Sequence, residues 1–227
     1  MVSGERTMTA ADFQARFDVS RETMDRLTCY VALLEKWNRR INLVSPRSLE
    51  DVWRRHILDS AQLLRHLPAP PDGRLLCLLD LGSGAGLPGL VLAALCDKGS
   101  PKMAVHLAES DGRKAVFLRE AAREMGLSPT VHAARVESLT TLAPDVVTAR
   151  ALAPLPKLLQ LAAPFLAPRA ARSVPSCGLF LKGRDVEKEI VLAHKGWEMS
   201  VESFPSLSDP QGVVLRVRDL RPLDRRP

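Results

Sequence analysis

From Ser20 onward, apolar side chains fall at Met24, Leu27, Val31, Leu34 and Trp37. Spacings of three and four put them on one face of a helix. Ser20 stands where its hydroxyl can cap the first turn. The stretch 9–67 reads as helical, broken between Asn38 and Pro46. A second helix is expected to start at a Ser48 cap, with Glu50 and Asp51 in its first turn. Its apolar side is Val52, Ile57, Leu63, Leu64 and Leu67. The run Pro68-Ala-Pro-Pro-Asp-Gly73 ends it, since proline lacks the amide proton a helix needs. That run divides a helical extension, residues 1–73, from a main domain, residues 74–227.

After Gly73 the period changes. Short apolar runs at Leu75–Leu81, Ala104–Glu109, Thr130–Ala133, Asp145–Ala149 and Leu179–Lys182 alternate with helical stretches near Pro88–Leu95, Arg113–Met125 and Pro154–Phe165. Strands alternating with helices predict βαβ units and a parallel sheet, hence an α/β fold. The end differs. Glu198–Phe204 and Val213–Arg218 are joined only by Pro205–Gly212, too short for a crossover helix, so they should pair antiparallel.

A length of 227 residues suits one mid-sized α/β domain plus the helical extension. With 46% apolar and 26% charged residues, wholesale disorder is excluded. The longest apolar runs, Leu75–Leu79 and Leu90–Cys96, are too short to span a membrane. Met1–Ala10 is polar and lacks the core of a secretory signal. Cys29, Cys77, Cys96 and Cys177 have no CxxC spacing, which argues against a zinc site or a disulfide framework. The expectation is a soluble cytoplasmic protein with neither a metal nor a membrane partner. The net charge of +6 is spread along the chain; it permits a nucleic-acid partner without requiring one.

The candidate chemistry sits after the first strand, in Asp80-Leu-Gly82-Ser-Gly84-Ala-Gly86-Leu-Pro-Gly89. Glycines there allow a tight turn and let the backbone approach a ligand. Glu109, at the end of the next strand, can accept hydrogen bonds from a ribose. Two nucleotide ligands compete. Gly84 to Gly89 fits the dinucleotide pattern G-x-G-x-x-G of an NAD-dependent oxidoreductase, whereas Asp80 to Gly86 fits the D-x-G-x-G-x-G loop of S-adenosylmethionine enzymes. The second is favoured. An acidic Asp80 suits a cationic methionine amino group and poorly suits a pyrophosphate. The closing antiparallel pair also looks like the seven-stranded methyltransferase sheet. A non-catalytic nucleotide-binding module is the remaining alternative.

The chain resembles the small-subunit (16S) ribosomal RNA guanine-N7 methyltransferases, also called the glucose-inhibited division protein B family. The segments that carry the resemblance are Lys36-Trp-Asn-Arg-Arg-Ile-Asn-Leu43, Arg55-His-Ile-Leu-Asp-Ser60, Asp80–Gly89, Glu109-Ser with Arg113-Lys and Phe117-Leu-Arg119, Arg135-Val-Glu137, Ala149-Arg-Ala151 and Leu181-Lys-Gly183. The resemblance implies a Rossmann-like class I methyltransferase sheet of seven strands with an N-terminal helical extension. It also implies S-adenosyl-L-methionine as cofactor, and ribosomal RNA or the assembling small ribosomal subunit as partner. Gly82, Gly84, Gly86 and Leu87 then belong to the cofactor loop, Val136 and Glu137 lie beside the adenine, and Glu109 and Arg150, the latter after the fourth strand, complete the expected cofactor-binding set. Glu109 stands where many relatives have Asp, and the stretch 167–177 is longer and more basic than usual.

His56 and Asp59, three apart on the second helix beside Arg54 and Arg55, form either a solvated charge cluster or a support for the active-site mouth. Trp37 reads as core rather than a base-stacking platform. Cys177 lies before the fifth strand, not on the fourth, and reads as core rather than a covalent nucleophile. The fourth strand ends in Ala149-Arg150-Ala151 and lacks the (Asp/Asn)-Pro-Pro-Tyr type of motif used on exocyclic amines. N7 of guanine carries a lone pair and no proton, so the implied transfer needs orientation and no general base. Arg150 is the expected orienting group, and Arg169, Arg172, Lys182 and Arg184 are expected near the RNA. A monomer is expected.

Overall fold

The computed structural model describes residues 6–69, 73–97, 101–167 and 175–223. Helix α1 (Ala10–Phe17) opens on a capping box, in which Thr9 and Asp12 satisfy each other's backbone amides. Helix α2 (Arg21–Asn38) is capped by Ser20, as expected. The next segment departs from the sequence expectation. Ser45, not Ser48, caps a short helix α3 (Pro46–Leu49), with Pro46 in its first turn. Proline is tolerated there because that amide has no intrahelical partner. The chain then widens into a π-helical turn, Trp53–Leu58, before a single α-turn, α4 (Asp59–Ala61), and a 3-10 turn, Gln62–His66. What reads as one helix is three geometries in series. Part of the Pro68–Gly73 boundary, residues 70–72, lies outside the described residues.

Five strands run parallel, as the βαβ rhythm predicts: β1 (Leu76–Leu81), β2 (Met103–Ala108), β3 (Thr130–His132), β4 (Val146–Arg150) and β5 (Cys177–Lys182). Strands β6 (Trp197–Pro205) and β7 (Val213–Pro222) close the sheet antiparallel. The order is β3-β2-β1-β4-β5-β7-β6, so the chain reverses direction across the sheet between β1 and β4. Ligands of open α/β sheets bind outside the carboxyl ends of the strands at such a point.

Helices α5 (Gly89–Cys96), α6 (Gly112–Glu124) and α7 (Leu155–Leu166) fall where periodicity puts them. Helix α8 (Val186–Ala193) was not anticipated, because it has only eight residues and the polar Glu187-Lys-Glu189 interrupts its apolar side. One core joins Phe13, Leu27, Leu34 and Ile57 of the N-terminal helices to Leu78, Leu90, Leu107 and Phe117, so those helices share a face of the sheet with α5 and α6. A second core under α7 and α8 covers the other face. Trp37 packs edge-on against Phe117 and donates to Glu120 Oε1 (3.1 Å), a packing role. Cys177 is buried as the first residue of β5, and burial pushes its thiol up to about 11, which fits a core residue. No helix among the described residues is long and apolar enough to cross a membrane.

Candidate active site

Strand β1 delivers the chain into a turn in which Gly82, Gly84 and Gly86 all have positive φ, between +56° and +84°. Three such residues in five positions explain the glycines, since side-chain-bearing residues are strained there. The turn is tied from several sides. Gly84 N–H donates to Glu109 Oε2 and Asp111 N–H to Glu109 Oε1, both at 2.8 Å. Tyr30, buried on α2, donates its hydroxyl to Ala85 O (2.8 Å). Sequence reasoning missed Tyr30; its place on the apolar side of α2 hides the polar end.

Asp80 takes a different part from the expected one. Its carboxylate is fully buried, accepting from Thr148 Oγ1 (2.8 Å) and from Gly89 N–H (3.2 Å). Burial pushes its pKa up to about 6 against the pull of those bonds. It braces the strand–turn–helix junction from behind and does not face outward toward a ligand's ammonium group. Glu109 is also buried, though at 8% exposed less completely than Asp80. Both its oxygens hold backbone amides and still have lone pairs for a ribose. The Glu109→Gln variant replaces one acceptor with an N–H pointed at another N–H. It is expected to cost about 1–3 kcal/mol of stability and to weaken cofactor binding, read by denaturant unfolding and titration calorimetry.

Gly82 and Gly84 are partly exposed, while Gly86 and Leu87 turn inward and are buried. Val136, buried, and Glu137, exposed, form the 3-10 turn that follows β3. The glycine turn and Glu109 are thus brought together, with Val136 and Glu137 placed after β3. Arg150, the last residue of β4, stands with another group. Its Nη1 reaches the π-helical turn, meeting His56 Nδ1 (2.9 Å), Arg55 O (3.1 Å) and Asp59 Oδ2 (3.3 Å). His56 and Asp59 are therefore no solvated charge cluster; His56 is 5% exposed.

These residues line a cleft of about 440 Å³ outside the ends of β4 and β5. The β6–β7 turn forms its far wall. There Leu207 N–H donates to Gln62 Oε1 (2.7 Å), Ser208 Oγ donates to Asp59 Oδ1, and Asp209 pairs with Arg55 (2.9 Å). A smaller groove is lined by Arg40, Ile41, Asn42, Asp111, Arg113 and Lys114, three cations against one carboxylate, and the next residues of the chain, Leu43, Val44 and Ser45, border the cleft. Among the expected RNA contacts, Lys182 is already engaged: its ammonium pairs with Glu189 (2.6 Å), donates to Ala153 O and is 9% exposed. It ties α8 to the start of α7. Arg184 is exposed, and Arg169 and Arg172 lie outside the described residues. Among the described residues no group of three or more His, Cys, Asp or Glu side chains is placed to hold a metal ion.

The family model described as rRNA small subunit methyltransferase G (GidB) matches residues 23–214, a span that takes in the glycine turn, Glu109, Arg150 and the whole cleft wall. The chain belongs to the GidB family. Curated relatives agree. Ribosomal RNA small subunit methyltransferase G of Rhodospirillum rubrum is 53% identical over 94% of this chain and 98% of its own length. That of Parvibaculum lavamentivorans is 47% identical over 99% of this chain and 95% of its own. At the level of fold alone, two solved structures are similar. The ribosomal protein L11 methylase of Lactobacillus delbrueckii subsp. bulgaricus matches with TM-score 0.51 at 16% identity, over 70% of this chain and 75% of that one. A mutant of MtNAS in complex with S-adenosylmethionine matches with TM-score 0.53 at 15% identity, over 94% and 85%. GidB membership decides between the nucleotide readings, and the dinucleotide oxidoreductase and the non-catalytic module give way.

Proposed function

We propose that this GidB-family chain methylates N7 of a guanine in small-subunit (16S) ribosomal RNA, with S-adenosylmethionine as cofactor. One observation carries the proposal. A glycine turn suited to a nucleoside cofactor and a cleft holding an arginine lie on either side of the β1–β4 reversal, at the same ends of the sheet. The residues fit the cofactor. The partly exposed backbone at Gly82 and Gly84 has no side chain to fill the cradle, and Glu109 keeps lone pairs for ribose hydroxyls. Val136 and Glu137 border the adenine end.

When bound, the cofactor supplies an electrophilic methyl group on a sulfonium. The protein's own part is to hold the base edge-on to that methyl. Positioning of this kind is worth about 7–11 kcal/mol of barrier. N7 has no proton to lose, so neither a base nor a thiol is called for, in keeping with a buried Cys177 and a neutral His56. The target base must leave its stack to enter the cleft. The protein acts as a cytoplasmic monomer on ribosomal RNA or the assembling small subunit, residues 1–73 serving as a helical extension of the catalytic domain 74–227. Deleting the gene is expected to remove one internal borohydride–aniline cleavage from small-subunit ribosomal RNA. Retention of every 7-methylguanine in that RNA would refute the assignment.

A further inference from the structure

Six charged side chains line the cleft, and they pair one to one. Arg150 meets Asp59 (3.3 Å), Lys182 meets Glu189 (2.6 Å) and Arg55 meets Asp209 (2.9 Å). His56, which also lines it, adds no charge: burial, with Arg150 and Arg55 alongside, drives its pKa down to about 3. The cleft is therefore electrically balanced before a substrate arrives. A nucleotide brings its base with a phosphodiester attached, so a base seated in the cleft carries a negative charge to the rim. One of the three cations has to turn to it.

The three pairs differ in how readily they open. The Lys182 side chain is 9% exposed and also donates to Ala153 O. That of Arg150 is 17% exposed and also reaches Arg55 O and His56 Nδ1. Drawing the carboxylate away from a buried cation leaves its charge uncompensated, which is strongly unfavourable. Arg55 and Asp209 stand apart, with side chains 47% and 35% exposed. Water screens a pair in that setting, and its net attraction is small. Nor does the cleft wall depend on it. The β6–β7 turn has part-buried bonds of its own: Leu207 N–H donates to Gln62 Oε1, Ser208 Oγ to Asp59 Oδ1, and Gln62 Nε2 to Ser206 Oγ (3.2 Å). Asp209 is itself positioned by Gln211 N–H on Oδ1 (2.9 Å), leaving Oδ2 to Arg55. The pair thus keeps an arginine at the rim and can release it easily.

We propose that Arg55 binds the phosphodiester beside the target nucleotide, exchanging Asp209 for an RNA phosphate as the base enters the cleft. A guanidinium suits that partner, since its planar set of donors matches phosphate oxygens. The inference rests on the ribosomal RNA function proposed above. It gives two neighbouring arginines different work: Arg55 grips the backbone and reads no base, while Arg150 stays with His56 and Asp59 inside the cleft.

The test uses purified full-length protein and small-subunit ribosomal RNA from a strain lacking the gene, with affinity measured at several salt concentrations. Arg55→Ala is expected to weaken binding about 5–8-fold at about 0.1 M salt and to lower the log–log slope by about 0.7–0.9, the share of one phosphate contact. Arg55→Lys keeps the charge and should hold the wild-type slope. Asp209→Asn removes the competing carboxylate, so RNA should bind as tightly as to the wild type or up to about 5-fold tighter. The two partners of one ion pair thus act differently, whereas a pair that merely braced the wall would weaken binding from either side. Weaker binding in both Arg55→Ala and Asp209→Asn, or wild-type affinity and slope in Arg55→Ala, overturns the proposal. Should Arg55→Ala fail to fold, Arg55→Gln, which keeps a long polar side chain without the charge, is read in its place by the same criteria. A wild type that binds this RNA yet forms no 7-methylguanine refutes the function alone, because the affinities still decide the role of Arg55.

Discussion

Replacing Gly86 with valine is expected to abolish S-adenosylmethionine binding and to destabilise the protein by about 2–5 kcal/mol. Gly86 has φ +84°, and a Cβ there would lie 2.5 Å from Leu90 Cδ1 and 3.0 Å from Leu118 Cδ2. Leu90 and Leu118 are fully buried, so neither can move aside without disturbing the core. Gly84 makes an informative contrast. Its φ is +56°, yet a Cβ there would meet only Gly82 O, at 3.8 Å, on the partly exposed side of the turn. Gly84→Val should therefore retain much more of the stability while losing the cofactor, because its branches enter the space kept for the ligand. Thermal unfolding with titration calorimetry on both variants checks the pair. Wild-type affinity in Gly84→Val would mean that the cofactor does not lie against this turn.

The second large effect concerns RNA affinity. Arg40 and Lys114 make no ion pair among the described residues, and Arg113 meets only Asp111, at 3.6 Å. Three cations in one groove, joined by the segment 40–45 to the Arg150 cleft, are placed to follow a phosphate backbone. The triple Arg40/Arg113/Lys114 alanine variant is expected to flatten the salt dependence of RNA binding. Three lost contacts at about 0.7–0.9 each reduce the log–log slope by about two. Cofactor affinity should hold. Arg150→Ala should do the reverse, losing activity through lost orientation while the slope barely moves. Arg184→Ala, on the exposed residue after β5, serves as comparator. Identical slopes for the wild type and the triple variant would make the groove a solvated surface.

The sheet was legible because its signals are local. Apolar runs between turn residues placed six of the seven strands to within about two residues, β7 running four residues past the expected Arg218, and the eight-residue connection Pro205–Gly212 required an antiparallel partner. The glycine turn was legible for the same reason. Where the sequence misled, the competing interaction was distant. Asp80 looked available because its partner Thr148 is 68 positions away. Lys182 looked free because Glu189 lies on a helix that periodicity did not reveal. The π-helical turn leaves no mark in residue spacing. It is stabilised by Arg150, 94 positions from His56, and an apolar side built from Val52 and Ile57 serves either geometry.

The far wall of the cleft also fixes an order of events during translation. Its hydrogen bonds join Gln62, Asp59 and Arg55 to residues 145, 149 and 154 positions later. The ribosome releases the chain from its amino end, so β1, the glycine turn and Glu109 are synthesised well before the hairpin that forms this wall. A chain cut short before β6 would retain the glycine turn and Glu109 but would lack the far wall of the cleft. The cleft is thus completed only with this hairpin, after the glycine turn is already made.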